Sequence, residues 1–245
     1  MLKRIGVLAS GGGSNLAALY DHLHTLEESR ATRTAVPEIV LVASDNERAG
    51  ALERARKWGV PSAVLANRGA DIGQLEELLR EHRVELIVLA GYLRHVPPPV
   101  VGAYHGRIIN VHPALLPSFG GAGMYGQRVH AAVIEQGARV SGATVHFVDE
   151  EYDRGPIIAQ WPVPVLAKDT PATLAARVLR VEHLLLPRAA FAVASGSVRL
   201  DEDGRLSHPL TAPPPDALAF TLQEESDETI VEGIRRLLPD VRPDV

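Results

Sequence analysis

Asn110-Val111-His112-Pro113 closes an apolar run, Arg107–His112 (RIINVH), with an amide and an imidazole two residues apart. Successive strand side chains alternate between faces, so Asn110 and His112 share one side. Together they suit stabilisation of a developing oxyanion plus proton transfer, as in acyl transfer without a covalent enzyme intermediate. A hydrogen-bonded Asn and His in a core is the competing reading of the same pair. Downstream, Asp153-Arg154-Gly155-Pro156 reads as a turn before another strand and follows the acidic run Asp149-Glu150-Glu151-Tyr152. In one reading its carboxylate reaches His112, orients the ring and raises its pKa, so that imidazolium is available near neutral pH. In the other it belongs to a solvated acidic turn.

Ser10-Gly11-Gly12-Gly13-Ser14-Asn15 lies between a strand pattern and a helix pattern. Free backbone N–H groups and the helix dipole favour an anion there, and glycines let the backbone approach it. The plainer reading is a tight turn with Ser14 as the N-cap. A P-loop needs a Lys after the glycines, and a dinucleotide fingerprint needs a different glycine spacing with an acidic residue about 20 positions on. A monophosphate is the expected anion. The chain has no cysteine, which removes disulfides, thiolate metal sites and a cysteine nucleophile and fits a reducing compartment. His130 and His146 fall near the site, but no close His/His or His/carboxylate ligand spacing occurs, so no metal is expected. His22 and His24 read as surface residues.

The elements that must position these groups alternate. Strand patterns cover Arg4–Ser10, Glu38–Ser44, Ser62–Leu65, Val84–Ala90, Arg107–His112, Ala143–Val148 and Pro156–Pro164. Helical patterns begin near Leu16 and cover Ala49–Trp58, Ile72–Glu81, Val129–Gln136 and Thr170–Val193. Such alternation predicts βαβ units, hence an α/β fold with a mostly parallel mixed sheet of about seven strands and helices on both faces. Pro97-Pro98-Pro99 can start a short helix. The 245 residues, 46% of them hydrophobic, suffice for a core without external staples. Net charge is −5, but residues 201–245 hold 11 Asp and Glu against 4 Arg, while the first 200 hold 19 acidic against 21 basic groups. The division expected is a catalytic domain over 1–205 and an acidic, Pro-containing tail over 206–245, with a linker at Pro213-Pro214-Pro215 and a short helix over Glu224–Leu238. No basic stripe suggests nucleic acid, and the apolar start Ile5–Ala9 is too short for an export signal or a membrane span. The expected location is cytoplasmic.

Four segments in order, Ser10–Asn15, Asn110–Pro117, Gly142–Val148 and Asp153–Ile158, resemble the phosphoribosylglycinamide formyltransferases over about residues 4–200. The resemblance implies a Rossmann-like formyltransferase fold. It also implies transfer of a formyl group from 10-formyltetrahydrofolate, the cosubstrate, to the amine of glycinamide ribonucleotide in purine synthesis, without a metal. By the same resemblance Asn110, His112 and Asp153 are catalytic, and Gly13, Ser14, Asn15 and Glu182 hold the ribonucleotide and its phosphate. Folate falls to Leu93, Arg94, His95, Val96 and Asn110, to the run Asp149, Glu150, Glu151, Tyr152 and Asp153, and to Arg68 for the glutamate carboxylate. Core packing is the competing reading for Leu93 and Val96. The partners expected are small molecules, with no nucleic acid or membrane, and the chain a monomer or homodimer. Leu116-Pro117 occupies a position where the family expects a cis peptide.

Two departures stand out. The loop Ser118–Gly126 (SFGGAGMYG) differs from the commoner Pro-Gly-x-His-type loop, and Leu179, Arg180 and Val181 replace glutamines usual before Glu182. A formyltetrahydrofolate hydrolase is the first alternative; it shares the catalytic residues but carries a preceding regulatory domain, for which a strand starting at Arg4 leaves no room, and it would leave the glycine loop idle. A methionyl-tRNA formyltransferase would need an RNA-binding domain in place of the acidic tail. In a non-catalytic nucleotide-binding module, Asn110 and His112 would be structural.

Overall fold

A computed structural model describes residues 1–29, 35–66, 71–201, 203–207 and 227–237. Arg68 and Pro213-Pro214-Pro215 lie outside the described residues. The first half alternates as its patterns predict: β1 (Arg4–Leu8), α1 (Ser14–Ser29), β2 (Glu38–Ser44), α2 (Gly50–Lys57), β3 (Ser62–Val64), α3 (Ile72–Glu81) and β4 (Leu86–Leu89). There follow α4 (Pro98–Ala103), β5 (Ile108–His112), α5 (Gln127–Glu135), β6 (Val140–Phe147), β7 (Ile157–Pro164) and α6 (Pro171–Ser195). Seven strands form one sheet in the order β3-β2-β1-β4-β5-β6-β7. The pairs from β3 through to β5 are parallel, whereas β5–β6 and β6–β7 are antiparallel.

Strand alternation divides the core in two. In β4, Leu86 and Val88 join the cluster beneath α1, α2, α5 and α6, while Ile87 and Leu89 join that beneath α3 and α4. Burial on both faces explains why β1, β2 and β4 read as nearly continuous apolar runs. Long α6 starts with a Thr170 capping box and Pro171 in its first turn, and stops at Gly196 in the left-handed region. Among these elements lies the carboxyl end of β5, which carries Asn110 and His112. Here β6 begins three residues earlier than its apolar pattern, because pairing with β7 recruits Val140, Ser141 and Gly142.

Beyond α6 the backbone adds a two-stranded ribbon, β8 (Arg199–Leu200) and β9 (Leu206–Ser207), and a helix, α7 (Asp227–Leu237). The 205/206 boundary expected from composition falls inside this ribbon. Ile230 of α7 is buried in the cluster beneath α6, and a Cβ on Gly233 would overlap the ring of Trp161 in β7. No described helix is long and apolar enough to cross a membrane.

Candidate active site

At the carboxyl end of the sheet, β5 delivers Asn110 and His112, and antiparallel register sets Asn110 opposite His146 and His112 opposite Thr144. A register shift in β6–β7 between Val145 and His146 marks a local bulge at this point, a feature that re-aims side chains next to active sites. The His146 Nδ1 atom lies 2.7 Å from the Phe147 carbonyl oxygen, which can only accept, so Nδ1 carries the proton. In the neutral ring Nε2 then accepts from Asn110 Nδ2 at 3.1 Å. After β5 the chain turns through a cis Leu116-Pro117 bond. The Thr144 hydroxyl donates to Ala114 O at 2.6 Å and accepts from Leu116 N at 3.1 Å.

Asp153 arrives on the turn between β6 and β7 with a φ of 56°. Gly155 is required there, since a Cβ would overlap the Phe147 carbonyl. The carboxylate faces two imidazoles: Oδ2 is 3.5 Å from His112 Nδ1, and Oδ1 is 3.6 Å from His146 Nε2. Oδ2 also accepts from Gly121 N at 2.9 Å. On its other side, His112 donates from Nε2 to Phe119 O at 2.9 Å. The glycine-rich loop therefore folds over His112 and Asp153 and is held by both.

Burial pushes the His112 pKa down; the Asp153 charge and the Phe119 carbonyl resist but do not reverse this. The raised His112 pKa expected from sequence is thus overturned: Asp153 acts in the expected direction, but desolvation of a ring 3% exposed outweighs it. For Asp153 itself burial works upward, and the two facing imidazoles and the Gly121 N–H win, leaving the carboxyl below its usual range. His130 of α5 is neutral, pushed down to about 4 chiefly by burial and then by His112.

These groups open onto a cleft of ≈ 550 Å³. Asn15, at the start of α1, donates to Glu182 Oε2 of α6 at 2.7 Å, and burial raises the Glu182 pKa against that bond. Of the residues proposed from sequence, Asn15, Leu93–Val96, Asn110, His112, Asp149, Glu151, Tyr152, Asp153 and Glu182 all line this cleft. Gly13, Ser14 and Glu150 are outside its lining; the Glu150 carbonyl instead meets His95 Nε2 at 3.2 Å. Val96 is also packed in the core beneath α4, as its competing reading expected, whereas Leu93 is 49% exposed.

Sequence reading gave His130 and His146 no role and left out Tyr92, whose buried hydroxyl is pushed up to about 12 by burial and then by the Asp45 charge. Asp45 is the ion-pair partner of Arg94, with Nε and Oδ2 3.2 Å apart. Strand alternation would have flagged His146 only with the β5–β6 register in hand. Buried side-chain atoms without a hydrogen-bond partner, Asn15 Oδ1, Tyr92 Oη and His130 Nδ1, belong to residues lining the cleft. Polar atoms so placed suit a polar, multifunctional ligand. Among the described residues no group of three or more His, Asp or Glu is arranged to hold a metal ion.

Residues 3–190 match the family described as formyl transferase. The chain is 42% identical over 208 residues to a chloroplastic phosphoribosylglycinamide formyltransferase of Arabidopsis thaliana, covering 82% of this chain and 69% of the relative. A protein of the same name from Vigna unguiculata is 42% identical over 207 residues, covering 82% of this chain and 64% of that one. Among solved structures, phosphoribosylglycinamide formyltransferase from Anaplasma phagocytophilum superposes with a TM-score of 0.75 at 36% identity, covering 87% of this chain and 97% of that one.

Proposed function

The chain belongs to the formyl transferase family, and from that premise we propose that it transfers a formyl group from 10-formyltetrahydrofolate to the amine of glycinamide ribonucleotide. The products are formylglycinamide ribonucleotide and tetrahydrofolate, a step of purine synthesis. The observation that carries this reading is the convergence of Asn110, His112 and Asp153 on one cleft that also receives Asn15 and Glu182.

The ribonucleotide amine attacks the formyl carbon, a C–N bond forms, and negative charge gathers on the formyl oxygen. Asn110 Nδ2 keeps a second hydrogen beyond the one it gives His146, and His112, neutral at rest and protonated from solvent once negative charge develops beside it, supplies a further N–H. Both donors face developing charge in a site sheltered from water, where they count for most. Asp153 stabilises the imidazolium and helps pass the amine proton, through water, to the folate N10 as the C–N10 bond breaks. The His112 Nε2 proton becomes available to the formyl oxygen when the Phe119 carbonyl withdraws. The Gly13–Asn15 segment takes the phosphate at the start of α1, and Glu182 orients the ribonucleotide.

The folate lies along Leu93–Val96 and the Asp149–Asp153 turn, with Arg68 offered to its glutamate. The sheltered apolar wall and the unpartnered polar atoms of the cleft fit such a ligand. Both substrates are small molecules, the protein works as a monomer or homodimer, and its setting is the cytoplasm. Residues 1–205 form the catalytic domain and 206–245 its acidic extension.

The test is turnover: the protein mixed with glycinamide ribonucleotide and a 10-formylfolate should release deformylated folate only when both are present. His112→Ala and Asp153→Asn should each cut the rate by about 10² or more. Folate release without the ribonucleotide would identify a hydrolase instead, and binding of both ligands without turnover would identify a non-catalytic module.

A further inference from the structure

The loop between β1 and α1 is gripped from one side. Asn46 Nδ2 donates to Ser10 O at 3.3 Å, Ala51 N to Gly11 O at 3.2 Å, and Arg54 Nε to Gly12 O at 2.9 Å. All three donors come from the β2–α2 connection and the first turns of α2. In a trans peptide the carbonyl and the following N–H point in opposite directions. Tying back three consecutive carbonyls therefore turns the N–H groups of Gly11, Gly12 and Gly13 away from α2, as a cradle for an anion requires.

Packing tightens the same grip. A Cβ on Gly13 would come within 2.7 Å of Ala51 Cα, and one on Gly50 within 3.1 Å of Gly12 O. At the far end of α2, Trp58 stacks on Tyr20 of α1 with ring centroids 4.0 Å apart, so both helices flanking the loop are fixed to each other. Asn46 is itself set by an Asx turn, its Oδ1 accepting from Arg48 N at 3.0 Å.

We propose that Arg54 is a positioning residue for the ribonucleotide phosphate, holding and polarising the Gly12–Gly13 peptide from behind so that its N–H meets the phosphate. The inference rests on the assignment of that phosphate to the Gly13–Asn15 segment. A cation donating to the carbonyl of a peptide strengthens the N–H of the same peptide as a donor, and a phosphate dianion draws more from it than a neutral ligand does. Arg54 acts through the backbone and touches neither the formyl group nor the amine. Its loss should weaken ribonucleotide binding and leave the chemical step and the folate alone.

The probe is ribose 5-phosphate, titrated calorimetrically into the full chain, alongside steady-state kinetics and thermal melts of wild type, Arg54→Met and Arg54→Lys. Arg54→Met should weaken ribose 5-phosphate binding and raise the KM for the ribonucleotide about 5- to 20-fold. Its kcat, its KM for formylfolate and its melting temperature should stay at wild-type values. Arg54→Lys, which keeps the charge but loses the planar donor, should fall between the two. Equal binding of ribose 5-phosphate by wild type and Arg54→Met overturns the proposal, as does a variant in which kcat and the melting temperature fall and both KM values rise together. If wild type does not bind ribose 5-phosphate, the phosphate assignment fails first and the role of Arg54 falls with it.

Discussion

His112 is held between opposed influences. Its two nitrogens face a carbonyl and a carboxylate, Phe119 O at 2.9 Å and Asp153 Oδ2 at 3.5 Å, and both of those groups only accept. An imidazolium would satisfy both, yet burial favours the neutral ring and prevails, so the pKa lies below 6.5. On the proposed function Asp153 has two tasks: it orients the ring, and it keeps the cost of protonating it within reach of a substrate that brings negative charge. Removing the carboxylate takes away a contribution that raises the His112 pKa, so the sign of the change is downward. In Asp153→Asn the His112 ring resonances, followed by NMR, should titrate at lower pH than in wild type, where burial already holds the pKa under the ordinary histidine value. A midpoint that stays put or rises would show that the carboxylate does not act electrostatically on His112. Strand alternation alone sets Asn110 and His112 on one side, whereas Asp153 is singled out in the sequence by the family resemblance, since its turn reads equally as a solvated acidic one. His146 is not legible there, because its role depends on lying opposite Asn110 across two strands 36 residues apart in the chain.

Two kinds of element build the site, and they differ in how openly the chain declares them. The parallel strands β1, β2 and β4 are apolar on both faces and separated by helical periodicity, so their pattern alone indicates a doubly covered sheet. The antiparallel turn-back through β6 and β7 rests on register, and a one-residue slip would turn His146 away from Asn110. The β8–β9 ribbon has two residues per strand and leaves no periodicity to read. What fixes the β6–β7 register at the site is the tight turn that holds Asp153, closed by Phe147 N to Pro156 O at 2.9 Å. Gly155 sits inside it with no room for a side chain against the Phe147 carbonyl. Gly155→Ala must therefore push the turn off β6 and carry Asp153 with it. The expected cost is about 1–3 kcal/mol, or about 2–4 °C of melting temperature per kcal/mol for a chain of this size, with a loss of formyl transfer larger than the stability change alone would produce. A variant that melts and turns over like wild type would show that the turn yields freely and does not set the position of Asp153.

At the scale of the whole molecule, the uneven charge separates a nearly neutral region of residues 1–200 from the strongly acidic stretch that follows. On the proposed function the domain holds a phosphate and a glutamate carboxylate, and keeping that acidity elsewhere serves both, since like charge near the cleft would oppose them. Yet the acidic stretch is not independent of the core. Its helix α7 buries Ile230 among residues beneath α6 and lays Gly233 on the Trp161 ring, where any side chain would collide. Trp161 is 8% exposed, and its ring presents an apolar face that only a close-approaching backbone can cover. Ending the chain after Ser207 would uncover that face while leaving every residue of the cleft in place. Burial of one Ile side chain alone is worth about 1.5–3 kcal/mol, so the shortened chain should melt at lower temperature. In a Trp58→Phe background Trp161 is the sole indole, and its fluorescence should shift to the red on truncation as water reaches the ring. The KM values for both substrates should remain near those of the full chain, because α7 supplies nothing to the cleft lining. An unshifted indole spectrum with an unchanged melting temperature would mean that α7 does not cover Trp161 in solution and that residues 208–245 are dispensable to the fold.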